Sequence, residues 1–453
     1  MEVENVTHNV TKWLSLLLAT MVMVTTITVQ PLSVQAADPV DIEGESAILV
    51  DYETGKILYA KNPDMALPPA SMTKIMTEYL VHEAIEEGQI SWDTTTEISD
   101  YAYSISADAS SSGVGLKQDE DYTVKQLYDA MAINSDNATT IALAELVAGS
   151  EGEFVKMMND KAEEMGMTDT EFVNSTGLAN ASLGENVPEG TDPDANNLMS
   201  ARSSALLAYH LINDYPGALD VTEIPSAEFE GEPITNWNWM LDHDEEEASS
   251  LQQFYYEGVD GLKTGHTDLA KYCFTGTAER DNNRLISVVM KTESMEARFE
   301  ETAKLLDYGF DEFETQEIFP AGYQLEDEAT IPVSKGKEDT VAVATKEAFS
   351  TPVKGDQADS YSITYQLDEE KLNGDGELAA PIEKGEKVGT AEIVYDGDGD
   401  YGFITPNGGN GSIDLVAQDT VEKNNWFMLT LGAIGSFFGN LFNTVVDTVK
   451  GWF

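Results

Sequence analysis

The stretch Pro69-Ala70-Ser71-Met72-Thr73-Lys74 decides the fold of the larger part of this chain, because it predicts the start of a buried helix. Proline precedes the helix, Gly88 ends it, and apolar residues recur at helical spacing along one face: Met72, Ile75, Met76, Tyr79 and Leu80. Ser71 lies in the first turn, and Lys74 follows on the same face, with about 5–6 Å between the two Cβ atoms. A serine hydroxyl is a weak nucleophile that needs a neighbouring base, so the pair is a candidate for covalent catalysis.

Lys74 is the candidate base. A lysine accepts a proton only in its neutral form, and burial or a neighbouring positive charge lowers the pKa of a lysine toward neutrality. Lys263, which lies far along the chain, is a candidate for that charge. The backbone N–H of Ser71 lies at a helix N-terminus, where it would stabilise a negatively charged oxygen that develops during acyl transfer.

Two further motifs, Ser135-Asp136-Asn137 and Lys263-Thr264-Gly265, follow in the chain. The first lies at a break between two predicted helices, one that begins with a capping box at Thr123 and one that spans Ala138–Val147. The second lies on a predicted strand, Tyr256–Thr264. Each triplet is common by itself. A Ser-x-x-Lys helix, a Ser-Asp-Asn break and a Lys-Thr-Gly strand in this order are typical of class A β-lactamases and penicillin-binding proteins.

The chain resembles the low-molecular-mass penicillin-binding proteins of the D-Ala-D-Ala carboxypeptidase family. The likeness is carried by three segments, Pro69–Lys74, Phe172–Leu178 and Asp260–Thr267, and it extends over nearly the whole chain. It implies an α+β fold, with a penicillin-binding or β-lactamase-like domain in which helices flank an antiparallel sheet and form a helical subdomain. A small all-β domain and an amphipathic C-terminal helix would follow.

The same resemblance implies the chemistry. Ser71 would be acylated by a peptidoglycan stem peptide that ends in D-Ala-D-Ala, or by a β-lactam antibiotic, and Lys74 would accept the serine proton. Ser135 and Asn137 would relay protons and hold the substrate amide. The implied activity is the removal of the terminal D-alanine through an acyl-enzyme, without a cofactor.

The resemblance implies substrate binding by a second group of residues. Lys263 and Thr264 would bind the terminal carboxylate, and Gly265 would let the substrate backbone pair closely with the strand. The N–H of His266 would be the second donor to the oxyanion, and one such donor is worth about 2.7–4 kcal/mol of transition-state stabilisation. Arg298 matches a family arginine that helps to bind the carboxylate, although a charge on the surface of a helix would leave the same pattern.

Two other functions compete with this one. A class A β-lactamase shares the three motifs but adds a glutamate that activates water for deacylation, and the sequence around Glu185 and Glu189 does not supply it. A non-catalytic cell-wall or β-lactam sensor would only hold its ligand, and it would need neither the nucleophile Ser71 nor the base Lys74. The residues present therefore favour the carboxypeptidase.

The chain divides into four predicted segments. Residues 1–36 predict a signal peptide, with an apolar run followed by small residues before Ala36, and an uncleaved anchor helix is the alternative. The following segments are a catalytic domain at 37–312, a β-rich domain at 313–422 and a membrane anchor at 423–453. Short alternating strands are predicted in the β-rich domain at Thr330–Val333, Thr340–Thr345, Tyr361–Tyr365, Val388–Tyr395 and Tyr401–Ile404.

The last predicted segment lies on a membrane surface rather than across it. Trp426–Val446 has no formal charge and is long enough to span a bilayer. Polar residues nevertheless recur along one stripe of the predicted helix: Ser436, Asn440, Asn443, Asp447 and Lys450. This pattern predicts an amphipathic helix in the membrane interface, and hence a peripheral protein on the outer face of the cytoplasmic membrane.

The acidic composition excludes one class of partner. The 453 residues include 82 acidic and 25 basic ones, for a formal net charge of -57, whereas nucleic acid binding requires clustered lysine and arginine. Such a surface keeps a protein dispersed in concentrated salt, which predicts a salty extracellular habitat.

The cysteine and histidine content excludes two further features. Cys273 is the only cysteine, which excludes an intramolecular disulfide, and the histidines show no paired spacing for a metal.

The excess of carboxylates repels itself most strongly in dilute buffer, because salt screens exposed charges that lie more than about 10 Å apart at 0.1 M ionic strength. We therefore expect the melting temperature to rise between dilute buffer and molar sodium chloride. Differential scanning calorimetry across that range measures the change. A flat or falling melting temperature would contradict the salt-adapted interpretation.

Overall fold

The computed structural model describes residues 40–108, 112–243, 248–355, 357–397, 399–405 and 411–425. The predicted signal peptide and the predicted amphipathic helix Trp426–Phe453 lie outside these residues. Within the described ranges, no helix combines the length and the apolar character that crossing a membrane requires. The helices and strands of these ranges confirm the predicted α+β class.

Helices and strands are mixed along the first part of the chain, and strands build the last part. Among the described residues, the α-helices are α1 (Lys74–Glu86), α2 (Asp100–Ser106), α3 (Val124–Asn134), α4 (Asn137–Ala148), α5 (Glu151–Glu164), α6 (Ala201–Asp214), α7 (Leu219–Thr222) and α8 (Met295–Glu312). The strands before α8 are β1 (Ser46–Asp51), β2 (Ile57–Lys61), β3 (Thr95–Thr96), β4 (Tyr122–Thr123), β5 (Ser226–Phe229), β6 (Glu232–Thr235), β7 (Val259–Thr267), β8 (Lys271–Arg280) and β9 (Asn283–Thr292). The strands after α8 are β10 (Glu314–Phe319), β11 (Thr330–Ser334), β12 (Thr340–Thr345), β13 (Phe349–Val353), β14 (Tyr361–Leu367), β15 (Leu378–Ala379), β16 (Lys387–Tyr395) and β17 (Ser412–Ala417).

The central sheet of the first part has the strand order β2-β1-β9-β8-β7, and neighbouring strands are antiparallel. Successive residues of a strand face opposite sides of a sheet, so each face has its own apolar side chains. Leu49 and Leu285 face α8, which comes so close that a Cβ atom on Gly309 would lie 2.5 Å from Leu285. Ile48 and Val288 face the other way, into a core shared with α1 and α6. Helices therefore cover both faces of the sheet.

A second apolar core joins α2, α3 and α4 into a helical subdomain. The predicted capping box is confirmed, because Thr123 accepts from the N–H of Gln126 and the Gln126 side chain accepts from the N–H of Thr123. The predicted break between helices is confirmed too. Helix α3 ends at Ser135, which has a left-handed φ of 63°, and Asp136 caps α4 by accepting from the N–H of Thr139 at 2.6 Å.

Ser71 does not lie in the first turn of an α-helix, and this part of the prediction is wrong. Ala70–Thr73 form a 3₁₀ turn, and α1 begins at Lys74. Ala70 has a φ of 49°, in the left-handed region that residues other than glycine adopt infrequently. The apolar repeat lies almost entirely within α1 and does not distinguish an α-turn from the tighter 3₁₀ turn that is common at helix N-termini.

The last part of the chain is all-β, as predicted. Its larger sheet has the order β14-β16-β17-β12-β11-β15, and β10 pairs with β13 in a smaller one. Strands β11, β12, β14 and β16 agree with predicted strands to within two residues at each end. Strands β10, β13, β15 and β17 are not among the predicted ones, because they are short or interrupted by polar residues.

The predicted strand Tyr401–Ile404 is wrong. This segment does not join the sheets of the all-β part and lies instead against the β1-β2 hairpin. There the N–H of Ile57 donates to Gly402 O at 2.9 Å, and the N–H of Ile404 donates to Gly55 O at 2.8 Å. Ile404 is buried in the core of the first part of the chain. Burial of Tyr401–Ile404 against the hairpin therefore explains why apolar residues alternate along this segment.

Lys56 reinforces the same contact from the hairpin. Its ammonium group lies 5.5, 4.9 and 5.3 Å from the ring centroids of Tyr361, Tyr395 and Phe403, and it donates to Asp400 at 3.0 Å. The lysine side chain is 9% exposed, whereas Asp400 is 39% exposed. An ion pair with an exposed partner contributes little, and desolvated cation–π contacts are worth up to about 2 kcal/mol. The rings therefore supply most of the stabilisation.

Replacing Lys56 by glutamine (K56Q) removes the cation and keeps most of the side-chain length. We expect the free energy of unfolding to fall by about 1–2 kcal/mol, because a neutral amide has no comparable attraction to the rings. Urea titration, monitored by intrinsic fluorescence, measures this free energy of unfolding. Lys125→Gln is the matched control, since Lys125 pairs with Asp129 on an exposed helix surface and such pairs are worth about 0.3–0.5 kcal/mol. An equally small loss in both variants would contradict the role of the rings.

Candidate active site

The three motifs meet in one open cleft with a volume of about 240 Å³. The 3₁₀ turn that carries Ser71 packs against β7, and the corner between α3 and α4 supplies further cleft residues. The lining residues are Ser71, Ser112, Ser135, Asn137, Gly177, Leu178, Trp237, Thr264, His266, Thr267, Met295 and Arg298. Lys74 and Lys263 lie behind this surface, at 0% and 2% exposure.

Two glycines hold the turn that carries Ser71. A Cβ atom on Gly265 of β7 would lie 2.3 Å from Pro69 O, and one on Gly177 would lie 1.9 Å from Ala70 O. Because both distances are far shorter than a van der Waals contact, only glycine lets these segments approach the turn. The resemblance attributes the need for Gly265 to the substrate, whereas in this structure its missing side chain faces the turn. Strand β7 is the last strand of its sheet, and the edge of such a strand can pair with a peptide backbone.

The amine of Lys74 has polar partners on three sides. Its Nζ lies 3.0 Å from Ser71 Oγ, 2.7 Å from Asn137 Oδ1 and 3.0 Å from Thr176 O. The amide oxygen of Asn137 and the carbonyl oxygen of Thr176 only accept hydrogen bonds, so they take two N–H groups of the lysine. In the neutral amine, the lone pair is then left for the hydroxyl of Ser71.

The surroundings of Lys74 favour its neutral form. Burial lowers the pKa of Lys74 well below its usual value, and the charge of Lys263 lowers it further. Asp136 and Glu78 act on the same pKa in the opposite direction, but more weakly. Burial is therefore the larger cause of the lowered pKa, and the charge of Lys263 acts in the predicted direction.

The corner between α3 and α4 brings Ser135 and Asn137 together at the cleft. Ser135 lines the cleft, and Asn137 reaches Lys74 from the first turn of α4. Asp136, which lies between them, is buried, and burial raises its pKa. Its carboxylate accepts from the N–H of Thr139 and from the N–H of Val114, both at 2.6 Å. Asp136 therefore fixes both α4 and a neighbouring segment of the cleft wall.

Strand β7 supplies another wall of the cleft. Thr264 and His266 line the cleft, whereas Lys263 shares the opposite face of the strand with Gly265 and is buried beside the turn. The His266 ring stacks on Tyr272 with a centroid distance of 4.3 Å. The alternation of the strand thus places Lys263 in the interior and Thr264 and His266 on the surface of the cleft.

Arg298 of α8 is a cation at the wall of the cleft, and the alternative of a surface helix charge is wrong. It is 2% exposed, and its Nη1 donates to Gly265 O at 3.4 Å. The guanidinium carbon lies 4.6 Å from the ring centroid of Phe299. Burial lowers the pKa of Arg298 to about 10, which leaves it positively charged at neutral pH. Among the described residues, its Nε has no hydrogen-bond partner.

The loop Phe172–Leu178 belongs to the site, although no role is predicted for it. Thr176 O accepts from Lys74, and the loop is held by Asn174 Oδ1, which accepts from the N–H of Thr176 at 3.1 Å and from the N–H of Gly177 at 2.7 Å. A backbone carbonyl carries no side-chain signal, so a motif search does not find Thr176. The run of turn-forming residues Asn-Ser-Thr-Gly is the only local signal.

Glu78 is the second residue that the motifs miss. Its carboxylate is 1% exposed and interacts electrostatically with both Lys74 and Lys263. The signal that could have found it is a charged residue between apolar ones on the buried helix α1, four positions after Lys74.

The weaker candidates do not add chemistry to the cleft. Cys273 is fully buried on β8, as predicted, and burial raises the pKa of its thiol to about 11, which disfavours the reactive thiolate. Within the described residues, no group of His, Cys, Asp or Glu has the arrangement of a metal centre. Glu185 and Glu189 are exposed and do not line the cleft.

Two family models match the chain. The family described as D-alanyl-D-alanine carboxypeptidase matches residues 33–294, and the one described as penicillin-binding protein 5, C-terminal domain, matches residues 313–423. The D-alanyl-D-alanine carboxypeptidase DacF of Bacillus subtilis is 34% identical over 356 residues, which cover 79% of this chain and 82% of that protein. The sequence similarity therefore includes both the motif-bearing part and the all-β part.

Solved structures agree with the sequence matches. A peptidoglycan synthesis regulatory factor, PBP3 of Streptococcus pneumoniae, has a TM-score of 0.67 and 35% identity, and the match covers 84% of this chain and 100% of that one. Penicillin-binding protein D2 of Listeria monocytogenes in its cefotaxime-bound form has a TM-score of 0.51 and 31% identity, over 60% of this chain and 98% of that one. Because the first family model spans more than half of its length, this chain belongs to the D-alanyl-D-alanine carboxypeptidase family of serine peptidases, the low-molecular-mass penicillin-binding proteins.

Proposed function

We propose that this protein removes the terminal D-alanine from peptidoglycan stem peptides through an acyl-enzyme on Ser71. The observation that carries the proposal is the setting of Lys74, which is fully buried with its Nζ 3.0 Å from Ser71 Oγ. Asn137 and Thr176 accept its N–H groups. A neutral amine in contact with a serine hydroxyl at the wall of a cleft is what nucleophilic catalysis requires.

Acylation begins when Ser71 Oγ attacks the carbonyl carbon that joins the two D-alanines, while the serine proton moves to the lone pair of Lys74. The new C–O bond forms, and the carbonyl electrons move to the oxygen, where the N–H groups of Ser71 and His266 stabilise the oxyanion. The C–N bond then breaks, and the leaving amine takes a proton that Ser135 relays from Lys74. Asn137 holds the substrate amide, and free D-alanine departs.

Deacylation returns the enzyme to its starting state. Water attacks the ester carbonyl, loses its proton to Lys74, and displaces Ser71, which regains a proton. None of the described residues that line the cleft is an aspartate or a glutamate, the side chain with which a class A β-lactamase activates this water. We infer that a β-lactam acylates Ser71 in the same way and is released slowly, so that it inhibits the enzyme.

The free carboxylate of the substrate distinguishes its terminal residue from the interior of a peptide. We propose that Lys263, Thr264 and Arg298 bind this carboxylate. Both cations are 2% exposed, and buried charges are screened by salt much less than charges at the surface. Substrate selection at the chain terminus would therefore persist in concentrated salt.

The substrate places the activity outside the cytoplasmic membrane, where peptidoglycan lies. We infer that residues 1–36 direct export and that Trp426–Phe453 attach the enzyme to the outer face of the membrane. The formal net charge of -57 suits a protein that meets salty medium directly. The acidic body would be repelled by anionic lipid, so the apolar face of the terminal helix has to supply the attachment.

Incubation with benzylpenicillin, followed by digestion and mass mapping, tests the proposed function. We expect a covalent adduct on Ser71, and we expect both the adduct and D-alanine release from a D-Ala-D-Ala peptide to be lost in Ser71→Ala. Lys74→Ala is expected to fold and to acylate about 10²–10⁴-fold more slowly, which is the range of general-base assistance. Lys125→Ala, at an exposed surface lysine of α3, is the matched control with the wild-type rate. An adduct on another residue, or near-normal acylation of Lys74→Ala, would contradict these assignments.

Deletion of the residues after Glu422 tests the attachment. We expect the truncated enzyme to move from the membrane fraction to the soluble fraction with its penicillin binding intact, because an interfacial helix is attached only by its apolar face. Fractionation and labelling with fluorescent penicillin measure both properties. Full-length Ser71→Ala, detected by antibody, is the control that stays with the membrane. A truncated protein that remained in the membrane would show that the N-terminal segment is the anchor.

A further inference from the structure

Two segments have to keep a fixed relative position for the proposed reaction. The nucleophile turn, Ala70–Thr73, carries Ser71, and the acceptor loop, Phe172–Leu178, offers Thr176 O to Lys74. The lysine amine lies 3.0 Å from the serine hydroxyl and 3.0 Å from this carbonyl oxygen. Its lone pair faces the serine only while its N–H groups have acceptors on the other sides. A group that ties the loop to the turn would therefore act on the reaction without touching the substrate.

Asn197 is a buried side chain that contacts both segments and does not line the cleft. Its Oδ1 accepts from the N–H of Val173 at 2.7 Å and from the N–H of Asn174 at 3.1 Å. Its Nδ2 donates to Asn174 O at 3.0 Å and to Thr73 Oγ1 at 2.9 Å. A side-chain amide offers two acceptor and two donor positions, and all four are filled here. One amide group therefore joins the acceptor loop to the nucleophile turn.

The backbone beside Asn197 is fixed to the same two parts of the chain. The N–H of Leu198 donates to Glu171 O at 2.8 Å, and the N–H of Glu171 donates to Leu198 O at 2.9 Å. The N–H of Met199 donates to Leu67 O at 2.9 Å, and the N–H of Leu67 donates to Met199 O at 3.1 Å. Glu171 precedes the acceptor loop and Leu67 precedes the nucleophile turn. The amide therefore lies on a backbone that is itself paired with both sides.

Direct packing between the two segments acts in one direction only. A Cβ atom on Gly177 would lie 1.9 Å from Ala70 O and 2.9 Å from Thr73 Oγ1, so the acceptor loop already touches the nucleophile turn. Steric contact limits how closely two segments approach, whereas it offers little resistance when they separate. The hydrogen bonds of Asn197 resist that separation.

Other side chains fix the acceptor loop to helices rather than to the turn. Thr77 of α1 donates to Ser175 O at 2.9 Å, and Glu151 of α5 accepts from the N–H of Ser175 at 2.9 Å. Asn159 of α5 donates to Phe172 O at 2.8 Å and accepts from the N–H of Phe172 at 2.9 Å. These bonds hold the loop in the protein, whereas those of Asn197 set its position relative to the nucleophile.

We propose that Asn197 is a positioning residue for acylation, which ties the acceptor loop to the nucleophile turn and so keeps the Lys74 amine oriented toward Ser71. The inference rests on the proposed function, since it adds a residue to the same reaction. Without the amide, the loop carbonyl moves away from the amine, and the lone pair faces the hydroxyl in fewer of its orientations. A misplacement of about 1 Å in a catalytic arrangement costs about 10²-fold in rate.

The test is stopped-flow acylation of Asn197→Ala by a fluorescent penicillin over a range of penicillin concentrations. We expect the limiting acylation rate at saturation to fall by about 10- to 10²-fold, because the base is no longer held toward the nucleophile. The half-saturating penicillin concentration is expected to stay at its wild-type value, because Asn197 does not line the cleft. This split separates a positioning role from a role in binding.

Asn159→Ala is the matched control, because it removes the same type of side chain from the same loop. The hydrogen bonds of Asn159 reach Phe172 and Val155, and neither residue belongs to the nucleophile turn. We expect both variants to melt at a lower temperature than the wild type, and only Asn197→Ala to lose acylation rate. Thermal denaturation followed by circular dichroism measures the stability of each.

A second pair of variants changes the other end of the hydrogen bond. Thr73→Val removes the hydroxyl that accepts from Asn197 and keeps the shape of the side chain, whereas Thr73→Ser keeps the hydroxyl. We expect Thr73→Val to lower the limiting acylation rate by less than Asn197→Ala does, and Thr73→Ser to retain the wild-type rate. This pair replaces Asn197→Ala if circular dichroism shows that Asn197→Ala does not fold.

A wild-type limiting rate in folded Asn197→Ala would overturn the inference and leave the proposed function intact. An equal loss of rate in Asn159→Ala, or equal rates in Thr73→Val and Thr73→Ser, would overturn it as well. So would a rise in the half-saturating concentration alone, which would assign Asn197 to binding. The wild-type enzyme is measured first. If it formed no penicillin adduct and released no D-alanine, the proposed function would fail instead, so the two failures are distinguishable.

Discussion

A lysine takes a proton from a serine only when it is kept from water and held against the hydroxyl, and one contact in this structure meets both demands. Lys74 Nζ lies 3.0 Å from Ser71 Oγ on a side chain with 0% exposure. The buried N–H groups of the amine need acceptors, and Asn137 and Thr176 provide them. These residues come from the start of α1, the corner before α4 and a loop after α5. The relative placement of these elements is therefore what the chemistry requires.

The turn that carries Ser71 shows how that placement is maintained. It lies between β7 and the loop at Gly177, and at Gly265 and Gly177 the backbones come too close for any side chain. The same strand places Lys263 behind the cleft and Thr264 on its surface, because successive residues of a strand face opposite sides. A shift of β7 by one residue would exchange these positions. The position of this strand therefore sets both the buried charge near Lys74 and the lining of the cleft.

Positive charge is scarce in this chain, and a few of the basic residues are buried. Of 107 charged residues other than histidine, only 25 are basic. Lys56, Lys74, Lys263 and Arg298 are nonetheless buried. Lys56 is held by aromatic rings of the all-β part, and the other three lie around the cleft. The interior thus holds a few cations together with buried carboxylates such as Asp51, Asp136 and Glu151.

The sequence by itself determined the features that depend on local pattern and on side-chain chemistry. The α+β class, the capping box at Thr123, the break at Ser135 and the pairing of Ser71 with Lys74 could all be predicted, since each has a residue type at a defined spacing. Only the tertiary structure decided that Ser71 lies in a 3₁₀ turn, that Thr176 offers its carbonyl to Lys74, that Glu78 is buried beside Tyr128, and that Tyr401–Ile404 packs against the hairpin. These features depend on contacts between segments far apart in the chain, or on backbone atoms that every residue shares. Such contacts leave no periodic signal, because the free energy that selects them comes from packing and desolvation in the folded state.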